Sequence, residues 1–153
     1  MTQELGIDEV LVVDERASVV VAFLRALERG DLDAALEMVA EDLIYENVSL
    51  PTIRGRRGLD KAFRRLMAPG KGGFAVHFHH IATDGDVVMT DRIDELSVGS
   101  RFAMRFWVYG RFTVRDGQIA IWRDHFDFYD VTVGAVRGLL GVVSPSLNRR
   151  MPT

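Results

Sequence analysis

The chain has no cysteine and only four prolines in 153 residues. Without thiols there is no disulfide framework, no thiolate nucleophile and no cysteine-ligated zinc, and the reducing cytoplasm becomes the expected compartment. An excess of one charge is also missing, since 19 Lys and Arg stand against 22 Asp and Glu for a formal net charge of -3. Such a balance offers no basic footprint for nucleic acid, and the Arg149-Arg150 pair is too short to supply one. Long hydrophobic runs are lacking as well. Val10 to Val13 is too short to cross a bilayer, and MTQELGIDEVLVVDERA has no basic segment ahead of a long apolar one, so neither insertion nor secretion is expected. No repeat at a solenoid period occurs, and no glycine pattern follows a strand to open a helix, which leaves nucleotide binding unsupported.

What is present suits a globular fold: 48% of the residues are hydrophobic and 27% charged. The length matches one domain, able to bury roughly two thirds of its unfolded surface. Residues 1–153 are therefore read as a single domain, with an N-terminal arm at 1–15 and a C-terminal tail at 131–153.

Helices come first. Val20, Phe23, Leu24 and Leu27 recur at helical spacing between Arg16 and Arg29, and Gly30 supplies a stop. Asp31 can cap a second helix carrying Leu32, Leu36 and Val39, after which LIYENV reads as a strand. A third helix is expected near Gly58 to Ala68, ended by Pro69-Gly70. The period then changes to two. Strands are predicted at about Gly73 to Ala82, Asp86 to Gly99, Arg101 to Arg115 and Gln118 to Asp130, joined by turns such as Asp84-Gly85 and Asp116-Gly117. This order argues for an α+β fold: a strongly curved, mixed but mostly antiparallel sheet wrapped around the N-terminal helices as a cone-shaped barrel, with an apolar pocket. The Gly-rich tail from Val131 to Val143 reads as a marginal helix over the pocket mouth or a subunit contact.

Strand parity sorts the polar residues by face. In RFAMRFWVYGRF the even positions Phe102, Met104, Phe106, Val108 and Phe112 are apolar, which marks the inner face. In WRDHFDFYD the even set places Asp124 between Trp122 and Phe126, whereas Arg123, His125 and Asp127 point outward and Asp130 lies where the strand should end. In VVMTDRIDEL the even set is Val88, Thr90, Arg92, Asp94 and Leu96, and Tyr45 and Asn47 form another i, i+2 pair. If these faces converge, one pocket holds two carboxylates, an arginine able to bridge them, a phenol and an amide. Mutual repulsion and burial would separate the two titrations, leaving one acid to give a proton and one to take it. A structural ion-pair network uses the same groups and stands as the alternative. His77 and His79 share an outer strand face without a third ligand, so no metal site is expected; His80, on the inner parity, reads as a core or pocket-lining residue, and His125 as exposed.

The motifs YEN at 45–47, RID at 92–94 and WRDHFD at 122–127, in this order, resemble the limonene-1,2-epoxide hydrolase family. That family is a branch of the curved α+β barrels that include nuclear transport factor 2, ketosteroid isomerase and the SnoaL-like polyketide cyclases, and the resemblance spans the first helix to Asp130. It implies a cofactor-independent epoxide hydrolase, needing neither metal nor organic cofactor, that adds water to a small hydrophobic epoxide in one step to give a vicinal diol. By the same resemblance Asp124 is the general base, Tyr45 and Asn47 hold the water, Asp94 protonates the epoxide oxygen, and Arg92 bridges both aspartates. Leu66, Val76, Phe106, Val108 and Phe126 would line the apolar pocket. The tail VGAVRGLLGVV is closer to mycobacterial relatives, which implies a substrate that is terpene-like or bulkier. A homodimer is also implied, through the outer sheet face that carries Arg105, Trp107 and Tyr109. Two other functions compete: a SnoaL-like cyclase or ketosteroid-type isomerase, and a non-catalytic ligand-binding or dimerisation module.

Overall fold

Asp14 caps the first described helix. Its Oδ1 accepts the Arg16 and Ala17 amides at 2.8 and 3.2 Å, two of the donors a helix start leaves unsatisfied. The computed structural model describes residues 14–68, 71–148 and 151–152; most of the expected N-terminal arm, Pro69-Gly70 and Arg149-Arg150 lie outside them.

Helix α1 (Glu15–Glu28) buries Val20, Phe23, Leu24 and Leu27, the stripe its spacing predicts. Asp31 caps α2 (Leu32–Glu37), accepting the Ala34 amide at 3.1 Å. This helix stops at Met38, one residue before its apolar stripe ends, so Val39 starts strand β1 (Val39–Asn47) rather than ending a helix. The amide of Ile119 donating to the Met38 carbonyl at 2.8 Å shows the reason, since sheet pairing takes over where the helix would continue. A short β2 (Ile53–Arg54), which the sequence reading lacks, precedes α3 (Arg56–Leu66).

Strands β3 (Gly73–Asp84), β4 (Val87–Val98), β5 (Phe102–Arg115) and β6 (Gln118–Phe126) follow as consecutive hairpins. Asp116 and Gly117 both take positive φ at the β5–β6 turn, the backbone a two-residue hairpin turn requires. The sheet runs β2-β1-β6-β5-β4-β3; β1 lies parallel to β6 and every other pair is antiparallel. Register shifts in β1, β3 and between β5 and β6 bend it, because a bulged residue adds local twist. The α+β architecture and curved mixed sheet are as expected.

The core lies between α1 and the concave face, where Trp122 packs edge-on to Phe23 at 5.1 Å and stacks on Phe112 at 5.8 Å. Strand β6 ends at Phe126, four residues before the expected Asp130, because Asp127 caps α4 (Phe128–Val143) by accepting the Tyr129 amide at 2.7 Å. Gly134 and Gly138 face β5 so closely that an added Cβ would sit 2.6 and 2.7 Å from the Arg105 and Ala103 carbonyl oxygens. The tail is therefore a helix seated on backbone. No helix among the described residues is long and apolar enough to cross a membrane.

Candidate active site

The register of four strands brings the polar residues of the concave face together. Asn47 on β1 stands beside Asp124 on β6; Asp124 faces Gly110 on β5, and Gly110 faces Thr90 on β4. Gly110 leaves a gap in the row. Through it Arg92 of β4 crosses β5 to reach β6, and a Cβ at position 110 would lie 2.0 Å from its Nη1.

The guanidinium fills that gap with hydrogen bonds. Nε donates to Asp94 Oδ1 at 2.8 Å and Nη2 to Asp94 Oδ2 at 3.1 Å, while Nη2 also reaches Asp124 Oδ2 at 2.8 Å. Nη1 donates to Thr90 Oγ1 at 2.8 Å. Arg92 is 0% exposed, Asp124 4% and Asp94 6%, so three ionisable groups share one desolvated site. Asp124 Oδ1 is buried and accepts no hydrogen bond from any described residue. Next to it, Asn47 Nδ2 donates to the Tyr45 hydroxyl at 2.6 Å, which leaves the phenol proton for another acceptor. Tyr45 itself lies 4.0 Å from Trp122, centroid to centroid.

Burial pushes the Asp94 carboxyl up to about 6, with the Arg92 charge working against this and the Asp124 charge adding to it. Burial, then the charge of Asp124, raises the Tyr45 phenol above its usual value and keeps it protonated. For Arg92 burial alone would favour deprotonation, but Asp124 and Asp94 together outweigh it and hold the cation.

Asp94, Asp124, Tyr45 and Asn47 line one end of a cavity of about 310 Å³. Leu66, Phe106, Val108 and Phe126 line its apolar part. Val76 does not. It is 3% exposed in the core cluster beneath α1, whose Arg25 donates to the Val76 carbonyl at 2.9 Å. The reading missed Trp122, Phe63, Phe128 and Val131 as lining residues. Trp122 had the right parity beside Asp124, whereas Phe128 and Val131 depend on a helix read as the end of a strand.

The histidines divide differently from their parity. A register shift between Phe78 and His80 turns His80 outward, where it is exposed and its Nδ1 lies 3.2 Å from Asp91 Oδ2; the expected core or pocket position is corrected. His79 stacks on Trp107 at 4.7 Å, and His125 is exposed as expected. No cluster of three or more His, Cys, Asp or Glu suited to a metal occurs among the described residues.

Residues 14–137 match the family model described as the limonene-1,2-epoxide hydrolase catalytic domain. The chain is 45% identical over 126 residues to epoxide hydrolase EphG of Mycobacterium tuberculosis (strain ATCC 25618 / H37Rv), covering 82% of this chain and 83% of that protein. Among solved structures, an M. tuberculosis LEH-like epoxide hydrolase superposes with a TM-score of 0.84 and 42% identity, over 90% of this chain and 96% of the other. The epoxide hydrolase/cyclase-like enzyme SalBIII, of pyran ring formation in polyether salinomycin, gives a TM-score of 0.68 at 22% identity, over 76% and 93% of the two chains. At that identity the likeness is one of fold.

Proposed function

The chain belongs to the limonene-1,2-epoxide hydrolase family, and from that premise we propose a cofactor-independent hydrolase that opens a hydrophobic epoxide to a vicinal diol by one-step general acid and base catalysis. The observation that carries this reading is the unpartnered Asp124 Oδ1 beside Tyr45 and Asn47 at the polar end of an apolar cavity.

A water bound to Tyr45 and Asn47 gives its proton to Asp124 Oδ1 as its oxygen bonds to a ring carbon. The carbon–oxygen bond of the ring breaks, and the departing oxygen takes the proton of Asp94. Asp94 suits the acid's part because burial keeps its carboxyl protonated to about pH 6, well above an ordinary aspartate. Arg92 holds both carboxylates at fixed separation and compensates the charge as it passes from one to the other. Each proton transfer contributes on the order of 10² to 10⁴-fold to the rate. Both transfers are assigned to protein carboxyls, so the reaction calls for no cofactor.

Hydrolysis is favoured over an isomerase because a second carboxylate on the same arginine would repel an enolate. A bulkier substrate than a monoterpene is supported by a further cavity of about 310 Å³, which shares Phe63, Leu66, Phe74, Leu96 and Met104 with the first. We further propose a single domain over residues 1–153 in the cytoplasm, and a homodimer through the outer sheet face, where Tyr109 is 58% exposed and Trp107 39%. Light scattering at micromolar concentration should give twice the chain mass; a monomer would remove the dimer.

The catalytic test is single-turnover hydrolysis of limonene, cyclohexene and styrene oxides in ¹⁸O-water. Labelled diol is expected, since water attacks directly. Unlabelled diol from the first turnover would mean an aspartyl ester instead, and no diol from any epoxide would overturn the reading.

A further inference from the structure

Arg92 distributes its five N–H groups unevenly. Nε and Nη2 serve the two carboxylates, but Nη1 reaches neither and donates to Thr90 Oγ1 at 2.8 Å. A guanidinium edge fits a carboxylate bidentately, as two parallel hydrogen bonds. With Nη2 already on Asp124 Oδ2 at 2.8 Å, the matching second pair is Nη1 with Asp124 Oδ1, the buried oxygen that has no hydrogen-bond partner among the described residues. That pair is not formed, and the group that holds Nη1 elsewhere is a threonine hydroxyl.

We propose that Thr90 is a positioning residue: its hydroxyl keeps Arg92 Nη1 off Asp124 Oδ1, and so leaves that oxygen to accept a proton. The inference rests on Asp124 acting as the base. Thr90 suits the task because it is 3% exposed, and a β-branched side chain on a strand has few rotamers to choose from. Its environment narrows them further, since the position of a Cβ on Gly110, its cross-strand partner, lies only 2.6 Å from Oγ1. The Phe112 ring, 5.8 Å from Arg92 Cζ, offers no oxygen that could replace the hydroxyl.

Removing the hydroxyl leaves a charged buried donor unsatisfied, and such a donor moves to the nearest acceptor. In Thr90→Val, of nearly the same shape, Nη1 turns to Asp124 Oδ1. The ionised form of Asp124 is then stabilised and becomes a weaker base, while the rotation lengthens the 3.1 Å bond from Nη2 to Asp94 Oδ2. Among the described residues the remaining titratable group facing the cluster is Tyr45; β3 and β5 present Val76, Phe78, Phe106, Val108 and Phe112.

The test is the pH profile of kcat for an epoxide that the wild type converts, with Thr90→Val and Thr90→Ser. Thr90→Val should lower kcat by about 10- to 100-fold with KM little changed, because only the proton-transfer geometry is lost. Its bell should also broaden, the acidic limb moving down in pH and the alkaline limb up. Thr90→Ser keeps the hydroxyl and should recover the rate. A lower bell of unchanged width, or a Thr90→Ser that falls about 10-fold or more below the wild type, overturns the proposal; the serine variant is read against the wild type, so its result holds even where the valine variant fails to fold.

A ¹³C titration of the Asp94 carboxyl needs no turnover. Its midpoint, about 6 in the wild type, should rise in Thr90→Val, or in Thr90→Ala if the valine variant does not fold. An unmoved midpoint rejects the role of Thr90, whereas absent turnover with a raised midpoint rejects the hydrolase reading alone.

Discussion

Strands β4 and β5 carry acid–base pairs on both faces of the sheet, and the two faces use them differently. On the outer face Glu95 and Arg105 are direct cross-strand partners 2.5 Å apart, and Asp91 accepts the Trp107 indole N–H at 2.5 Å. On the inner face Arg92 holds Asp94 and Asp124 at 2.8 Å each. Pair distances therefore do not distinguish the faces. The inner pairs span three strands, occupy a gap left by Gly110, and keep one carboxylate oxygen unpartnered beside a cavity. Glu95 Oε2 on the outer face is also buried without a hydrogen bond from any described residue, so the unsatisfied oxygen alone does not separate the faces; the apolar cavity beside Asp124 Oδ1 does.

The largest effect that would break this contrast is chemical. Asp124→Asn should fold, because the amide oxygen can still accept from Arg92, yet lose on the order of 10³-fold or more in kcat when assayed as diol formation. A variant retaining wild-type rate would make the inner network as structural as the outer one. Next comes Gly110→Ala, measured by chemical denaturation. A methyl group 2.0 Å from Nη1 must expel the guanidinium, which leaves two buried carboxylates without their counter-ion at a cost of about 3 to 5 kcal/mol. An alanine variant of normal stability would show that the bridge does not depend on the gap.

The inner face was also where the sequence was most readable. Two-residue alternation in β4, β5 and β6 is unbroken around Arg92, Asp94, Phe106, Val108 and Asp124, so parity alone put these residues on one face. Where the alternation breaks, the reading failed: the extra residue in β3 turned His80 from the concave face to solvent. Gly110 sat on the inner parity among large apolar residues, a sign of close approach that the long arm of Arg92, with Thr90 and Phe112 beside it, explains. Helix α4 was harder to see, because each glycine weakens an isolated helix by roughly 1 kcal/mol. Gly134 and Gly138 are there for contact with the β5 backbone, a tertiary reason that local periodicity does not contain. Val76 had the right parity but lies under α1, and parity says nothing about what covers a face.

A pH effect of intermediate size sharpens the comparison. Asp94 holds its proton more tightly in the folded protein, about 6, than the ordinary 3.8 it has when unfolded. The folded state therefore binds more protons between those values, so stability should fall as pH rises from about 4 to 6 and then level off. The shift corresponds to about 3 kcal/mol. Denaturation midpoints across this range, compared between wild type and Asp94→Asn, isolate the contribution, since the amide cannot titrate. Equal slopes in the two proteins would place the proton elsewhere.

The smallest effect belongs to the outer face. Glu95 and Arg105 are adjacent through backbone pairing of β4 with β5, and neither belongs to the cavity that Asp94 and Asp124 line. The approach is close, but no N–H of Arg105 is aligned as a hydrogen bond to Glu95 Oε2. Glu95→Gln should leave kcat within roughly twofold, for the residue touches neither the cavity nor the Arg92 network, while stability falls by about 1 to 3 kcal/mol because the side chains are only 17% and 18% exposed and Arg105 loses its counter-ion. The paired readouts matter more than either alone. A loss of rate without a loss of stability would mean that charge on the convex face reaches Asp94 through β4, and the separation of the two faces would have to be abandoned.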